Sequence, residues 1–197
     1  MIIWINGAFG SGKTQTAHEL HRRLPNSTIY DPENVGYFLR RKLPFRRHDD
    51  FQDYELWREI NYSMLRYISR EHEGTILVPM TVVVPRYFEE IVGRLRADGA
   101  DVRHFALLAS PDTLLRRLRS RGEGPNSWAA RQIERCVASL SDDRFREHLE
   151  TDRMTLEEVA NAIASSAHLP LLPDRRSAAK KAYDRLATQF RHIRWIK

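Results

Sequence analysis

Eight residues near the start of the chain, Gly7-Ala8-Phe9-Gly10-Ser11-Gly12-Lys13-Thr14, fit the spacing G-x-x-x-x-G-K-[ST]. They stand between an apolar run, Ile2 to Asn6, and a segment with helical periodicity. Few short sequences limit a fold so strongly. A strand that turns into a helix through glycines points backbone N–H groups inward, and the helix adds the positive end of its dipole, so the loop can enclose phosphate oxygens. Lys13 is expected to reach the β- and γ-phosphates of ATP, and the Thr14 hydroxyl offers Mg²⁺ a hard oxygen ligand. The cofactors implied are ATP and Mg²⁺, with all eight loop residues around the phosphates.

Around this loop, short β-rich runs alternate with longer amphipathic ones, the pattern of βαβ units. Strands are expected at Ile2 to Asn6, Ser27 to Tyr30, Thr75 to Pro79, Arg103 to Ala109 and His148 to Thr151. The fold class is α/β, a P-loop NTPase with a five-stranded, mostly parallel sheet and helices on both faces. Leu114, Leu115 and Leu118 share a helix face ahead of Gly122-Glu123-Gly124-Pro125, which predicts an exposed break within a small lid at about 116–135, after the fourth strand. Thr155 and Glu158 match a capping box at the start of another helix. The chain divides into a kinase-like domain, 1–170, and a basic amphipathic helix within 171–197.

At 197 residues, with 42% hydrophobic and 29% charged, the chain can bury one domain's core, and it lacks the roughly 20-residue apolar run that spans a bilayer. The opening Met1-Ile2-Ile3-Trp4-Ile5 has no basic leader segment, so the expected compartment is the cytoplasm. Cys136, the single cysteine, excludes an internal disulfide and reads as packing. A net charge of +6 suits an anionic partner. Its basic residues lack the aromatic interleaving of an RNA-recognition module, so no nucleic acid is expected.

Phosphate binding alone does not define a reaction. No N-K-x-D segment is present to read guanine, and Thr75 to Pro79 does not end in the acidic pair of motor-type ATPases. Leu114, Arg117 and Arg121 place two arginines on one helix face before the glycine break and resemble the L-x-x-R-x-x-x-R lid entry of the adenylate and shikimate kinase group. That likeness implies Arg117 against adenine and Arg121 near the transferring phosphoryl group. Arg131 and Arg135 can act from the far side of the lid or form a solvated basic face. After the second strand, Asp31 can accept a substrate proton or hold Mg²⁺ through water, assisted by Glu33; equally, Asp before Pro is a common helix start. Arg40 is a candidate for an acidic substrate group. Asp49, Asp50, Asp53, Tyr54, Trp57 and Arg58 form an acidic and aromatic cluster in which Asp53 and Trp57 serve either a nucleoside or a helix cap and core. Arg86 has a similar standing.

Taken together, I-W-I-N-G-A-F-G-S-G-K-T-Q-T-A, Y-D-P-E-N-V-G, L-V-P-M-T-V-V, E-G-P-N-S-W-A-A-R-Q-I and H-I-R resemble the bacterial tunicamycin-resistance proteins over nearly the whole chain. The resemblance implies an ATP-binding P-loop protein that protects against a nucleoside antibiotic built from uracil, sugars and a fatty acyl chain. One departure from the wider kinase group is that Pro79 and Met80 stand where an acidic residue often follows the third strand. Two readings follow: phosphotransfer by Lys13, Asp31, Arg117 and Arg121, or non-catalytic, ATP-dependent sequestration of the antibiotic. From Ser177 on, Ala179, Ala182, Tyr183, Leu186, Phe190 and Ile193 recur at helical spacing among basic residues. This stripe can cover the domain or, on the inner face of the cell membrane, lie on acidic lipid.

Overall fold

The structure of the protein, a computed structural model, describes residues 1–44 and 48–192, with side chains through 189 in the last helix. The elements are β1 (Ile2–Gly7), α1 (Lys13–Arg23), β2 (Ser27–Ile29), α2 (Glu33–Lys42), α3 (Glu55–Glu71), β3 (Thr75–Pro79), α4 (Pro85–Phe88), α5 (Arg94–Ala97), β4 (Val102–Leu108), α6 (Pro111–Arg119), α7 (Trp128–Arg131), α8 (Ile133–Leu140), β5 (His148–Glu150), α9 (Leu156–Ser166) and α10 (Ala178–His192). A π-helical turn, Glu89–Gly93, joins α4 to α5. The sheet order is β2-β3-β1-β4-β5, and every neighbouring pair is parallel.

β1 is central and buried along its whole length, which is why it reads as an unbroken apolar run. Side chains alternate across the sheet. Ile2 and Trp4 pack with Trp57 and Leu65 of α3, Leu95 of α5 and Leu114 of α6. Ile3 and Ile5 pack on the other face with Leu20 of α1 and Ile163 of α9. Each fully buried side chain of this size contributes about 1.5–3 kcal/mol, so the two layers hold the sheet from both sides. The chain after β1 crosses to the α1 face, while the chains after β3 and β4 cross to the opposite face. That divergence opens a crevice at the carboxyl end of β1.

The expected strands lie within one residue of the observed ones at each end, and Thr155 with Glu158 forms a complete capping box for α9. α6 ends at Arg119, so Arg121 sits in the following turn rather than on the same helix as Arg117; its N–H bonds Leu118 O at 2.9 Å. The last helix does pack on the domain, but not through its apolar stripe. Arg176, just before α10, and Asp184 within it face Glu19 and Arg22 of α1, whereas Tyr183 is 64% and Leu186 54% exposed. The helix therefore docks through polar side chains and turns the described part of its apolar stripe outward. Phe190, as a side chain, and Ile193 lie outside the described residues, as does the H-I-R segment in part.

Candidate active site

Asn6, at the end of β1, anchors the crevice. Its side-chain oxygen accepts from Gly7 N at 2.9 Å and Val82 N at 3.0 Å, and its amide nitrogen donates to Val82 O at 2.8 Å. The same nitrogen is 3.2 Å from His104 Nε2. An amide nitrogen only donates, so Nε2 accepts and the His104 proton lies on Nδ1, donating to Arg146 O at 3.3 Å. Burial pushes this imidazole down to about 4 and keeps it neutral. Thr81 Oγ1 also donates to Gly7 O at 2.8 Å, so the segment after β3 is tied to the start of the loop.

From that anchor the loop turns sharply. Gly7 has φ +151°, and a Cβ there would stand 2.9 Å from Leu107 O. Gly12 precedes α1 at φ +97° and supplies no side-chain cap, which leaves the first N–H groups of α1 for a ligand. Lys13 is 9% exposed; its Nζ donates to Ala8 O at 3.1 Å and lies 5.6 Å from the Phe9 ring centre. Burial pushes its ammonium down to about 8, with Glu33 the strongest influence raising it and Arg121 adding to the depression. Ser11 Oγ is buried without a hydrogen-bond partner among the described residues. A desolvated cation, an orphaned hydroxyl and an uncapped helix start all gain from an anion in the loop, so these residues fit a triphosphate.

The loop opens into a cleft of about 760 Å³. Glu33, Tyr37 and Arg40 of α2 line one side, and Asp50, Phe51 and Gln52 continue it. Arg121, Glu123 and Trp128 line the side after α6, Met80 and Thr81 lie at the end of β3, and Thr188 and Gln189 are contributed by α10. Trp128 meets Phe9 edge-on with ring centres 5.0 Å apart. Arg40 Nη2 donates to Asp49 O at 2.5 Å. Thr14 is half-buried and lines the cleft, available to a metal ion that arrives with the nucleotide. Among the described residues no group of three or more His, Cys, Asp or Glu side chains is placed to hold a metal by itself.

The other sequence candidates fall in different places. Asp31 Oδ1 accepts from Glu33 N at 3.0 Å, shaping the entry to α2, and Asp31 is not part of the cleft lining, whereas Glu33 is. Arg121 lines the cleft, and burial lowers its pKa. Arg117 instead donates to Thr151 O at 2.7 Å, fixing the segment after β5. Asp53 accepts from Tyr87 OH at 2.8 Å, and Trp57 is fully buried with its Nε1 donating to Pro32 O at 3.1 Å. Arg86 has a 74% exposed side chain paired with Glu90 at 2.5 Å. Arg131 and Arg135 are exposed outside the lining, although Arg135 is close enough to lower the pKa of Asp50 and Cys136.

Residues that sequence reasoning did not single out as binding groups include Tyr37, Gln52, Trp128, Thr188 and Gln189, whereas Asp50 belongs to the acidic and aromatic cluster it named. Tyr37 stands four residues after Glu33, so its helical spacing offered a signal. Nothing comparable marks Thr188 and Gln189, which reach the cleft only because α10 folds back on α1.

A family model described as AAA domain matches residues 2–142. Among solved structures, the tunicamycin resistance protein of Deinococcus radiodurans is 35% identical, with a TM-score of 0.77, and the match covers 88% of this chain and 98% of that one. A sugar kinase from a Janibacter species is 15% identical at a TM-score of 0.62, covering 85% of this chain and 94% of its own. A shikimate kinase from Bacteroides thetaiotaomicron is 17% identical at 0.56, covering 86% and 99%. These two show the fold alone. A search of curated protein sequences gave no match. With the loop, the five-stranded parallel sheet and these likenesses together, the chain belongs to the AAA-domain family of P-loop kinase-like proteins and, within it, to the tunicamycin-resistance proteins.

Proposed function

We propose that the protein is an ATP-dependent phosphotransferase acting on tunicamycin or a similar nucleoside antibiotic. The observation that carries this reading is that the loop lysine and an aromatic, acidic wall share one cleft. Bound ATP, with Mg²⁺, supplies the phosphoryl group. Lys13 and Arg121 would neutralise charge on the phosphates, and Thr14 would hold the metal. Arg117, fixed on Thr151 outside the cleft lining, would lie against adenine, as in the lid entry it resembles. Glu33 takes the proton from an acceptor hydroxyl, and Asp31 keeps Glu33 in place through its backbone bond. Arg40 contacts the acceptor. Residues 116–135 serve as the lid of a catalytic unit spanning 1–170, with Arg131 and Arg135 on its outer edge. Asp53, Trp57 and Arg86 support the acceptor wall without touching substrate. The test is incubation with tunicamycin, ATP and Mg²⁺ followed by mass spectrometry. A gain of one phosphate group is expected, and nucleotide binding without any modified antibiotic would overturn the reading.

A second reading, sequestration of the antibiotic beside the cytoplasmic face of a membrane, draws on two observations. No carboxylate follows β3, where Met80 and Thr81 line the cleft, and Tyr183 and Leu186 are exposed beside Lys180 and Arg185. Among the described residues no helix is long and apolar enough to cross a membrane, so contact would be peripheral. Co-sedimentation with acidic vesicles, lost on deleting 177–197, is its expected signature; equal sedimentation of the shortened chain would exclude a lipid role for this helix.

A further inference from the structure

Asp50 lines the cleft on the stretch between α2 and α3. Its Oδ1 accepts from Gln52 N at 2.9 Å, which fixes the carboxylate at the start of a 3-10 turn, Phe51–Asp53. Its other oxygen accepts no hydrogen bond from the described residues, nor does any described cation come within ion-pair distance. Burial pushes the Asp50 carboxyl up, as does Asp53, against the bond from Gln52 and the pull of Arg135 on α8 and Arg40 on α2. The Cys136 thiol of α8 lies close enough for Asp50 to raise its pKa. Because Asp50 is half-buried and lines the cleft, its unused oxygen is open to a donor on a bound ligand.

The neighbours restrict what that donor can be. Two arginines nearby disfavour a cation, and the carboxylate itself disfavours an anion. Phe51 and Tyr37, with ring centres 6.1 Å apart, and Tyr54 give this part of the cleft an aromatic border suited to a ring. We infer that Asp50 is the specificity-determining residue of the acceptor site, accepting a hydrogen bond from a neutral ring-bearing ligand through a ring N–H or a ring hydroxyl. This rests on the reading that the cleft takes a nucleoside antibiotic, and it does not require that phosphate be transferred.

The test is calorimetric titration of the full chain with tunicamycin, in Mg²⁺ and a non-hydrolysable ATP analogue, for the wild type, Asp50→Asn and Asp50→Glu. Asp50→Asn keeps an oxygen for Gln52 N, and an unchanged unfolding temperature checks that it folds. The expected result is at least tenfold weaker binding in Asp50→Asn, with partial recovery in Asp50→Glu. Wild-type affinity should fall as pH drops through the raised pKa of the carboxyl, and Asp50→Asn should lose that dependence. Uracil and glucose separate the two sources: loss of uracil binding on substitution assigns the ring N–H, and loss of glucose binding assigns the hydroxyl. Equal tunicamycin affinity and pH dependence in wild type and Asp50→Asn would overturn the inference while leaving the nucleoside reading intact. Failure of the wild type to bind tunicamycin would overturn both.

Discussion

Lys13 loses part of its hydration to the fold before any ligand arrives, and this sets a proton linkage. Its ammonium, depressed to about 8 by burial, is the form that binds phosphate, and an anion beside it raises the pKa again. ATP affinity should therefore be level below about pH 8 and fall above it, with proton uptake on binding at alkaline pH. Calorimetry in buffers of different ionisation enthalpy measures this; affinity unchanged up to about pH 9.5 would refute it. Lys13→Ala should abolish most nucleotide binding and leave the fold intact, because the side chain meets a loop carbonyl rather than the apolar core. On the proposed phosphotransfer reading, Glu33→Gln should lower product formation by about 10²–10⁴-fold, the range for losing a general base. Asp31→Ala should instead cost about 1 kcal/mol of stability, as for a lost cap, with a smaller effect on turnover. Equal losses of turnover from the two would remove the distinction between them.

At the scale of elements, α10 is the instructive case. Periodicity showed that Tyr183 and Leu186 share a face with Ala179 and Ala182, but periodicity cannot say which face docks. The partner decides. α1 offers Glu19 and Arg22 there, and they meet Arg176, Asp184 and Thr188. Asp174 joins this network, 2.8 Å from Arg176 and 3.0 Å from Lys181, and Arg176 holds its carboxyl well below the usual carboxylate range. A depressed pKa contributes stability that is fully present above the unfolded value of about 3.9 and is lost as pH falls through the folded value. Limited proteolysis should therefore release α10 in acid, and Arg176→Ala should release it at neutral pH; an α10 equally protected in wild type and variant would refute the docking role. Strands and α9 were legible because their signals are local: an apolar run beside glycine for β1, and a hydroxyl with a carboxylate three residues on for α9.

For the whole molecule, the phosphate end of the cleft was legible because its ligands are contiguous, from Gly7 to Thr14. The opposite end, proposed to take the acceptor, was only partly so. Its lining comes from α2, residues 48–54, the turn after α6 and α10, and no local pattern reports that these meet. Composition left Trp57 and Asp53 open between nucleoside contacts and a core residue with a helix cap; Trp57 fills the core, and Asp53 accepts from Tyr87. Trp128, which meets Phe9 at the lining, gives this assembly an optical handle. Trp4 and Trp57 are fully buried and already emit from apolar surroundings, whereas Trp128 is 48% exposed. In a Trp195→Phe background, fluorescence changes on adding nucleotide report chiefly on Trp128. Movement of the turn after α6 over the phosphates should shift emission to shorter wavelength and reduce quenching by acrylamide. A spectrum and quenching constant unaffected by saturating ATP would mean that this turn stays still, and the emission would then serve as a fixed reference for the rest of the protein.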